Sequence, residues 1–265
     1  MKRTHQPKHH ATMLWLGLIA AGACELFAQG GRLAARPLTP YEIEIYGLTA
    51  ETQTSGGLFT VGIGAPVYLE AQVDKGTTVN GVTWTLTSKP AGSNADFTDS
   101  PLGPEIPIYN PGDREVHDVA DRKVLTPDVV GVYGVTVTVA TPEGDLVMSQ
   151  EATGALYVGV GTIVGEKPEF PQCALCHEEN AEGWNHTNHS KAFSEAIDGI
   201  STDHFQQFCI KCHSVGYDTT EGADNGGFDD MARLTGWIFP EELKPGNWEA
   251  MPDELKQVSN VQCEN

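Results

Sequence analysis

Between residues 38 and 163 the chain alternates apolar and polar positions with a period of two. Val67, Leu69, Ala71 and Val73 fall on one side of an extended segment, with Tyr68, Glu70 and Gln72 on the other. Val82, Trp84 and Leu86 oppose Thr83, Thr85 and Thr87, and Tyr133, Val135, Val137 and Val139 oppose Thr136 and Thr138. Successive side chains of a strand point to opposite faces, so this pattern predicts strands with one buried face. Turn-rich segments, Ser88-Lys89-Pro90-Ala91-Gly92 and Tyr109-Asn110-Pro111-Gly112-Asp113, separate the runs. Short strands punctuated in this way predict a β-sandwich. The alternation stops at a joint, Gly165-Glu166-Lys167-Pro168-Glu169-Phe170-Pro171. Beyond it, His189 to Ile200 reads as one short helix with Ala192, Phe193 and Ala196 on a common face. The predicted fold class is therefore mixed: an all-β sandwich over 38–163, then a small, mainly α-helical and loop-rich domain over 166–265.

The N-terminus carries a different pattern. Lys2, Arg3 and Lys8 precede a short apolar run, Met13 to Ala23, and small residues follow. This is the layout of a signal peptide over residues 1–28, cleaved after Ala28 or after Ala23. Cys24 leaves lipidation open, although Ala21 stands where a lipobox prefers Leu. An uncleaved N-terminal anchor is the remaining route to a membrane. Export predicts a periplasmic or extracellular protein. The 265 residues carry 16 basic and 36 acidic side chains, net −20. Nucleic-acid binding needs a basic patch to displace counterions, so that class is excluded. Docking of a basic redox protein remains compatible with the charge.

Part of the β-region resembles a known module. Trp84, the Ser88-Lys89-Pro90-Ala91-Gly92-Ser93 turn and Pro127-Asp128-Val129-Val130-Gly131-Val132-Tyr133 are similar to bacterial immunoglobulin-like or PKD-type domains. The resemblance implies a buried core Trp84, a tyrosine corner at Tyr133 and a spacer or adhesion role. Val135 stands where antibody domains place a Cys, so no inter-sheet disulfide is expected. His117, among Arg114, Glu115 and Asp118, reads as a solvated loop residue.

The candidate chemistry lies beyond the joint. Cys173-Ala174-Leu175-Cys176-His177 and Cys209-Ile210-Lys211-Cys212-His213 are two C-x-x-C-H motifs. Two thiols at this spacing reach the two vinyl groups of one porphyrin, and the next residue brings an imidazole to the iron. The chain ends Gln262-Cys263-Glu264-Asn265, which reads as a third motif begun at Cys263, or else as a lone thiol. The expected cofactor is haem c. Paired thiols also suit a four-thiolate zinc site, which leaves both trailing histidines unexplained, or disulfides of thioredoxin-like spacing, for which the flanking sequence lacks a βαβ context. A six-coordinate iron needs a distal ligand, for which His189, His204 and His186 are candidates, with Met231 and Met251 behind them. Trp184, Phe193, Phe205 and Phe208 are candidate haem-packing aromatics.

Trp184-x-x-Thr187-x-His189-x-x-Ala192, then Cys209-x-x-Cys212-His213 with Gly216-Tyr217, Gly227-Phe228 and Val261-Gln262-Cys263-Glu264, resembles the multihaem cytochrome c-554 family over about residues 171–265. The resemblance implies closely packed haems, mostly with two His ligands. It carries over His177 and His213 as proximal ligands and His189 as the distal ligand of a haem that need not be its sequence neighbour. The function expected is outer-sphere electron transfer between redox proteins. Two other classes remain open: a multihaem reductase of a small nitrogen or sulfur oxyanion, and a scaffold or adhesion protein with electron-carrying haems.

Overall fold

A computed structural model describes residues 30–49, 51–103, 117–159, 163–164, 167–168 and 173–263. The predicted signal peptide with Cys24, the Tyr109–Asp113 turn, and most of the joint lie outside the described residues. So do Glu264 and Asn265. Among the described residues, no helix is long and apolar enough to cross a membrane.

The β-rich region begins ahead of residue 38. Strand β1 (Gly31–Ala35) is followed by β2 (Pro37–Leu38), helix α1 (Pro40–Ile45), β3 (Ser55–Gly56), β4 (Thr60–Gly62), β5 (Val67–Asp74), β6 (Gly81–Ser88), β7 (Phe97–Asp99), β8 (His117–Leu125), β9 (Gly131–Thr141) and β10 (Gly144–Ala155). One four-stranded sheet runs β1-β5-β8-β7 and a second runs β4-β10-β9-β6. All pairs within them are antiparallel except β4 with β10. Two further short strands, β11 (Ile163–Val164) and β12 (Lys167–Pro168), pair with each other in the joint.

The expected inward residues build the core between the sheets. Val67, Leu69, Ala71 and Val73 from β5 meet Tyr133, Val135, Val137 and Val139 from β9 in one buried cluster. Apolar burial of this kind contributes about 25 cal/mol per Å² removed from water. Trp84 corrects its expected depth: it is half-buried at the cluster edge, and its indole N–H donates to Asp121 at 2.8 Å. Tyr133 does form the expected corner. Its hydroxyl donates to Val129 O at 2.8 Å and accepts from the Val129 N–H at 3.0 Å. His117 is also corrected, opening β8 opposite Asp74 rather than sitting in a loop.

β5 departs from simple alternation, because both of its faces are buried. Tyr68 packs with Leu38, Leu102 and Val124 beneath the β2–α1 segment. Glu70, 1% exposed, accepts from Arg122 Nε at 2.8 Å and Gln72 Nε2 at 2.9 Å and pairs with Arg36 Nε at 3.3 Å. Arg36 also reaches Glu42 at 3.1 Å. Glu42 in turn closes a capping box with Thr39 that starts α1. A buried carboxylate is tolerated only with such partners.

The second region contains α2 (Glu178–Asn185), α3 (Ser194–Ile197), α4 (Ile210–His213), α5 (Phe228–Thr235) and α6 (Asp253–Gln257), joined by turns. The single helix expected from His189 to Ile200 is instead a 3-10 turn, Asn188–Lys191, and then α3. The apolar face survives the break: Phe193 and Ala196 are buried with Ile197, Phe205, Ile210, Val215, Phe228, Met251, Leu255 and Val258. Met251 thus belongs to the apolar core.

Tyr157 joins the two regions. Its backbone N–H donates to Asn225 O at 2.8 Å and its side chain packs against the helical core. The ring passes between two glycines: a Cβ at Gly62 or at Gly216 would lie 2.4 Å from it. Gly216 also has φ +67°, so it is glycine for two reasons. Gln53 adds hydrogen bonds to Asp218 at 3.2 Å and Thr220 at 2.7 Å.

Two outcomes are expected. Glu70→Ala leaves Arg36 and Arg122 buried without their shared carboxylate and costs about 3–5 kcal/mol in chemical denaturation. Partial desolvation raises the pKa of Asp128, but hydrogen bonds from the Ser93 hydroxyl and the Asn94 N–H outweigh it and hold the carboxyl below the usual aspartate value. Its stabilising contribution is therefore present above that value and lost as pH falls through the lowered one. Asp128→Asn removes that component of the acid-side loss in a pH-stability profile.

Candidate functional site

Both C-x-x-C-H segments wind into a single helical turn, and the turn determines where the thiols go. In the first, Cys173–Leu175 is 3-10. Cys173 O accepts from the N–H groups of Cys176 at 3.2 Å and His177 at 2.8 Å. Residues three and four apart on a turn lie on one side of it, so Cys173, Cys176 and His177 are neighbours in space. α2 begins immediately after His177, with the exposed Glu178 and Glu179 in its first turn. Trp184 on α2 packs against Ala174 and Ala181 and donates its indole N–H to Val261 O at 2.7 Å.

In the second segment a 3-10 turn, Gln207–Cys209, leads directly into α4. Ile210 faces the core, and Ser214 Oγ closes the turn by donating to Ile210 O at 2.7 Å. Cys212 is exposed and Cys209 half-buried. The His213 ring is half-buried, edge-on to Phe205 with centroids 5.3 Å apart. Its Nδ1 is buried and has no hydrogen-bond partner. Leaving a buried polar atom unmatched costs about 1–3 kcal/mol. The ring sits with Nδ1 inward.

Apolar surface surrounds this second turn. Phe208, beside Cys209, is 75% exposed, and Ile238 and Leu234 are similarly open. A cavity of about 530 Å³ is lined by Gln207, Ile210, Tyr217, Phe228, Trp237 and Ile238 among others. A neighbouring cavity of about 500 Å³ is lined by His204, Phe205 and Phe239. Phe205 and Phe239 stack at 6.2 Å. Exposed apolar side chains beside such a cavity, as Ile238 is, suit a surface that another group covers. Of the aromatics singled out from sequence, Phe193 and Phe205 belong to the core, Trp184 to the first motif's helix, and only Phe208 is open. Trp237, Ile238 and Phe239 were not singled out, because nothing in their spacing links them to a distant C-x-x-C-H turn.

His186, His189 and His204 are all exposed. His204 Nδ1 contacts the carboxylate of Asp203. The His189 backbone O accepts from Val261 N at 3.2 Å, which places the residue next to the segment leading to Cys263. Cys263 is exposed and lines a cavity of about 500 Å³ together with Leu58, Val61 and Tyr157.

The alternative chemistries can be weighed on geometry. Among the described residues, none of Cys173, Cys176, Cys209, Cys212 and Cys263 is in a disulfide, and the Cys173 thiol donates to Gly159 O at 3.4 Å. Among the described residues no group of three or more His, Cys, Asp or Glu converges as a metal cage, so the two C-x-x-C pairs do not meet as a four-thiolate zinc site would require. In each motif, by contrast, two cysteines and the histidine after them lie on one short turn. That donor set suits a porphyrin attached through both sulfurs and ligated by the adjacent His.

A family model described as Cytochrome c554 and c-prime matches residues 172–232. The match spans both complete motifs with His186, His189 and His204; Cys263 and the β-rich region lie outside it. No curated protein and no solved structure matches the chain.

Thiol reactivity tests this arrangement. In the folded haem-free chain, iodoacetamide labels the exposed Cys176, Cys212 and Cys263 ahead of the half-buried Cys173 and Cys209. Peptide mass spectrometry reads the order, and denaturant removes the difference.

Proposed function

We propose that this chain is an exported multihaem c-type cytochrome that binds haem c covalently and passes electrons by outer-sphere transfer. The observation that carries this reading is the repeated turn: two cysteines outside any disulfide and a histidine on one short turn, twice, within the stretch that matches the cytochrome family model. Cys173 with Cys176, and Cys209 with Cys212, would form the thioethers. His177 and His213 would be the proximal ligands. When bound, haem c supplies a one-electron iron couple whose potential follows from axial ligands, burial and nearby charge.

The protein's own residues supply position and environment. Phe205 holds the His213 imidazole edge-on, and with Nδ1 buried the other ring nitrogen, Nε2, is the one left to ligate. Phe208, Trp237 and Ile238 offer the apolar surface that a porphyrin face would cover. His189, His204 and His186 are the distal candidates; their exposure leaves them free to turn toward an iron. Two His ligands per iron would keep each site six-coordinate, which favours a carrier over a reductase. The β-rich region would be an immunoglobulin-like spacer, anchored to the haem-bearing part through Tyr157. The acidic surface suits a basic redox partner.

Expressed with haem-maturation machinery and exported, the chain is expected to carry two covalent haems by mass spectrometry. Cys212→Ala should weaken attachment of one of them, and His213→Ala should turn one haem high-spin while the other keeps its low-spin spectrum. Colourless protein with five alkylatable thiols would overturn the reading. A native high-spin haem that binds carbon monoxide would move it to the reductase class.

A further inference from the structure

Asn260 is the one described non-glycine residue with a left-handed backbone, φ +72°. Such a conformation is uncommon outside glycine and is kept where surroundings impose it. Here the surroundings are two motif-bearing segments. On one side, Val258 O accepts from Val215 N at 2.8 Å, and Ser259 pairs with Ser214 in an isolated antiparallel bridge. These are the residues that leave α4 directly after His213. On the other side, Val261 N donates to His189 O at 3.2 Å and Val261 O accepts from Trp184 Nε1 at 2.7 Å. Those partners belong to the helix and turn that follow His177. The chain must therefore change direction between Ser259 and Val261, and Asn260 makes the change.

Its side chain binds the same two halves together. Asn260 is 5% exposed, and its Oδ1 accepts from the N–H groups of Phe193 at 2.9 Å and Ser194 at 3.1 Å. Those N–H groups open α3 and would otherwise be buried or half-buried without a partner. One residue thus meets three demands: left-handed backbone, a short side chain, and an accepting oxygen aimed at α3.

We infer that Asn260 is the positioning residue that sets the relation between the two haem-attachment segments, and with it the interaction between the haems they hold. This rests on the haem reading above. Asn260 touches neither thiol pair and acts through the Ser214–Val215 exit and the Trp184–His189 segment.

The test uses the matured full chain, with paramagnetic resonance of the oxidised haems and the two midpoint potentials as readouts. Asn260→Asp keeps an accepting oxygen and tolerates the left-handed backbone, so its low-spin resonances should match the parent; its added carboxyl makes the potentials of this variant uninformative. Asn260→Gly keeps the backbone and loses the acceptor; Asn260→Ala loses both. Both should shift the low-spin resonances and change the separation of the potentials while still carrying two haems. If Asn260→Ala fails to mature, Asn260→Gly decides alone. Two covalent haems with parental resonances and potentials in the glycine variant would overturn the role of Asn260. So would an aspartate variant whose low-spin resonances shift as far as those of the glycine variant. A parent chain that takes up no covalent haem would instead overturn the haem reading itself.

Discussion

The segment Val258–Gln262 must satisfy hydrogen bonds on two sides at once, and the order of the helical region depends on it. Its elements are short: α3 and α4 are single turns and α6 is barely longer. Turns of that length do not hold themselves together in water, because nucleation fixes several residues for one hydrogen bond. They persist because this segment ties the exit of the second motif to the helix and turn after the first. Gln262 reinforces it by donating to Gln257 O and Ser259 O, both at 2.6 Å. The apolar cluster around Phe193, Phe228 and Leu255 then packs against a frame that is already connected.

That frame bears on the chemistry through orientation. A thiol pair and an imidazole on one turn are prearranged by local backbone hydrogen bonds, so each C-x-x-C-H unit is close to self-sufficient. The relation between the two units is not local. His213 illustrates the division. Its place on the turn follows from α4, but its ring orientation depends on Phe205 and on a pocket that buries Nδ1. The surrounding apolar surface comes from Trp237, Ile238 and Phe239, which lie well beyond the motif in sequence.

The β-rich region reaches stability by a different route. Its core is ordinary apolar burial between two sheets, but the outer face of β5 is covered rather than solvated. Glu70 is consequently enclosed with Arg36, Arg122 and Gln72. Such a cluster is specific because removing any one member leaves a charge or polar group unmatched. Tyr157, threaded between Gly62 and Gly216, then fixes this region against the loop that follows the second motif. The two regions share a packed boundary, which makes the β-rich part a base for the helical part rather than a freely swinging spacer.

The Tyr133 corner came only from the resemblance to immunoglobulin-like domains; sequence alone determined the strands of β5, β6 and β9, the change in character near the joint and the two C-x-x-C-H turns. Each of these rests on residues close together in the chain, where period-two burial or a single helical turn leaves little choice. Tertiary structure decided the rest. Alternation in β5 could not reveal that its polar side is also buried, because the covering segment comes from residues 36–48. Nor could it place Trp84 at the core edge rather than within it. Where the helix expected over His189–Ile200 breaks, the N–H groups of Phe193 and Ser194 are met by a distant acceptor, Asn260 Oδ1. The apolar surface around the second motif and the junction at Val258–Gln262 are likewise meetings of distant segments, and periodicity carries no information about such meetings.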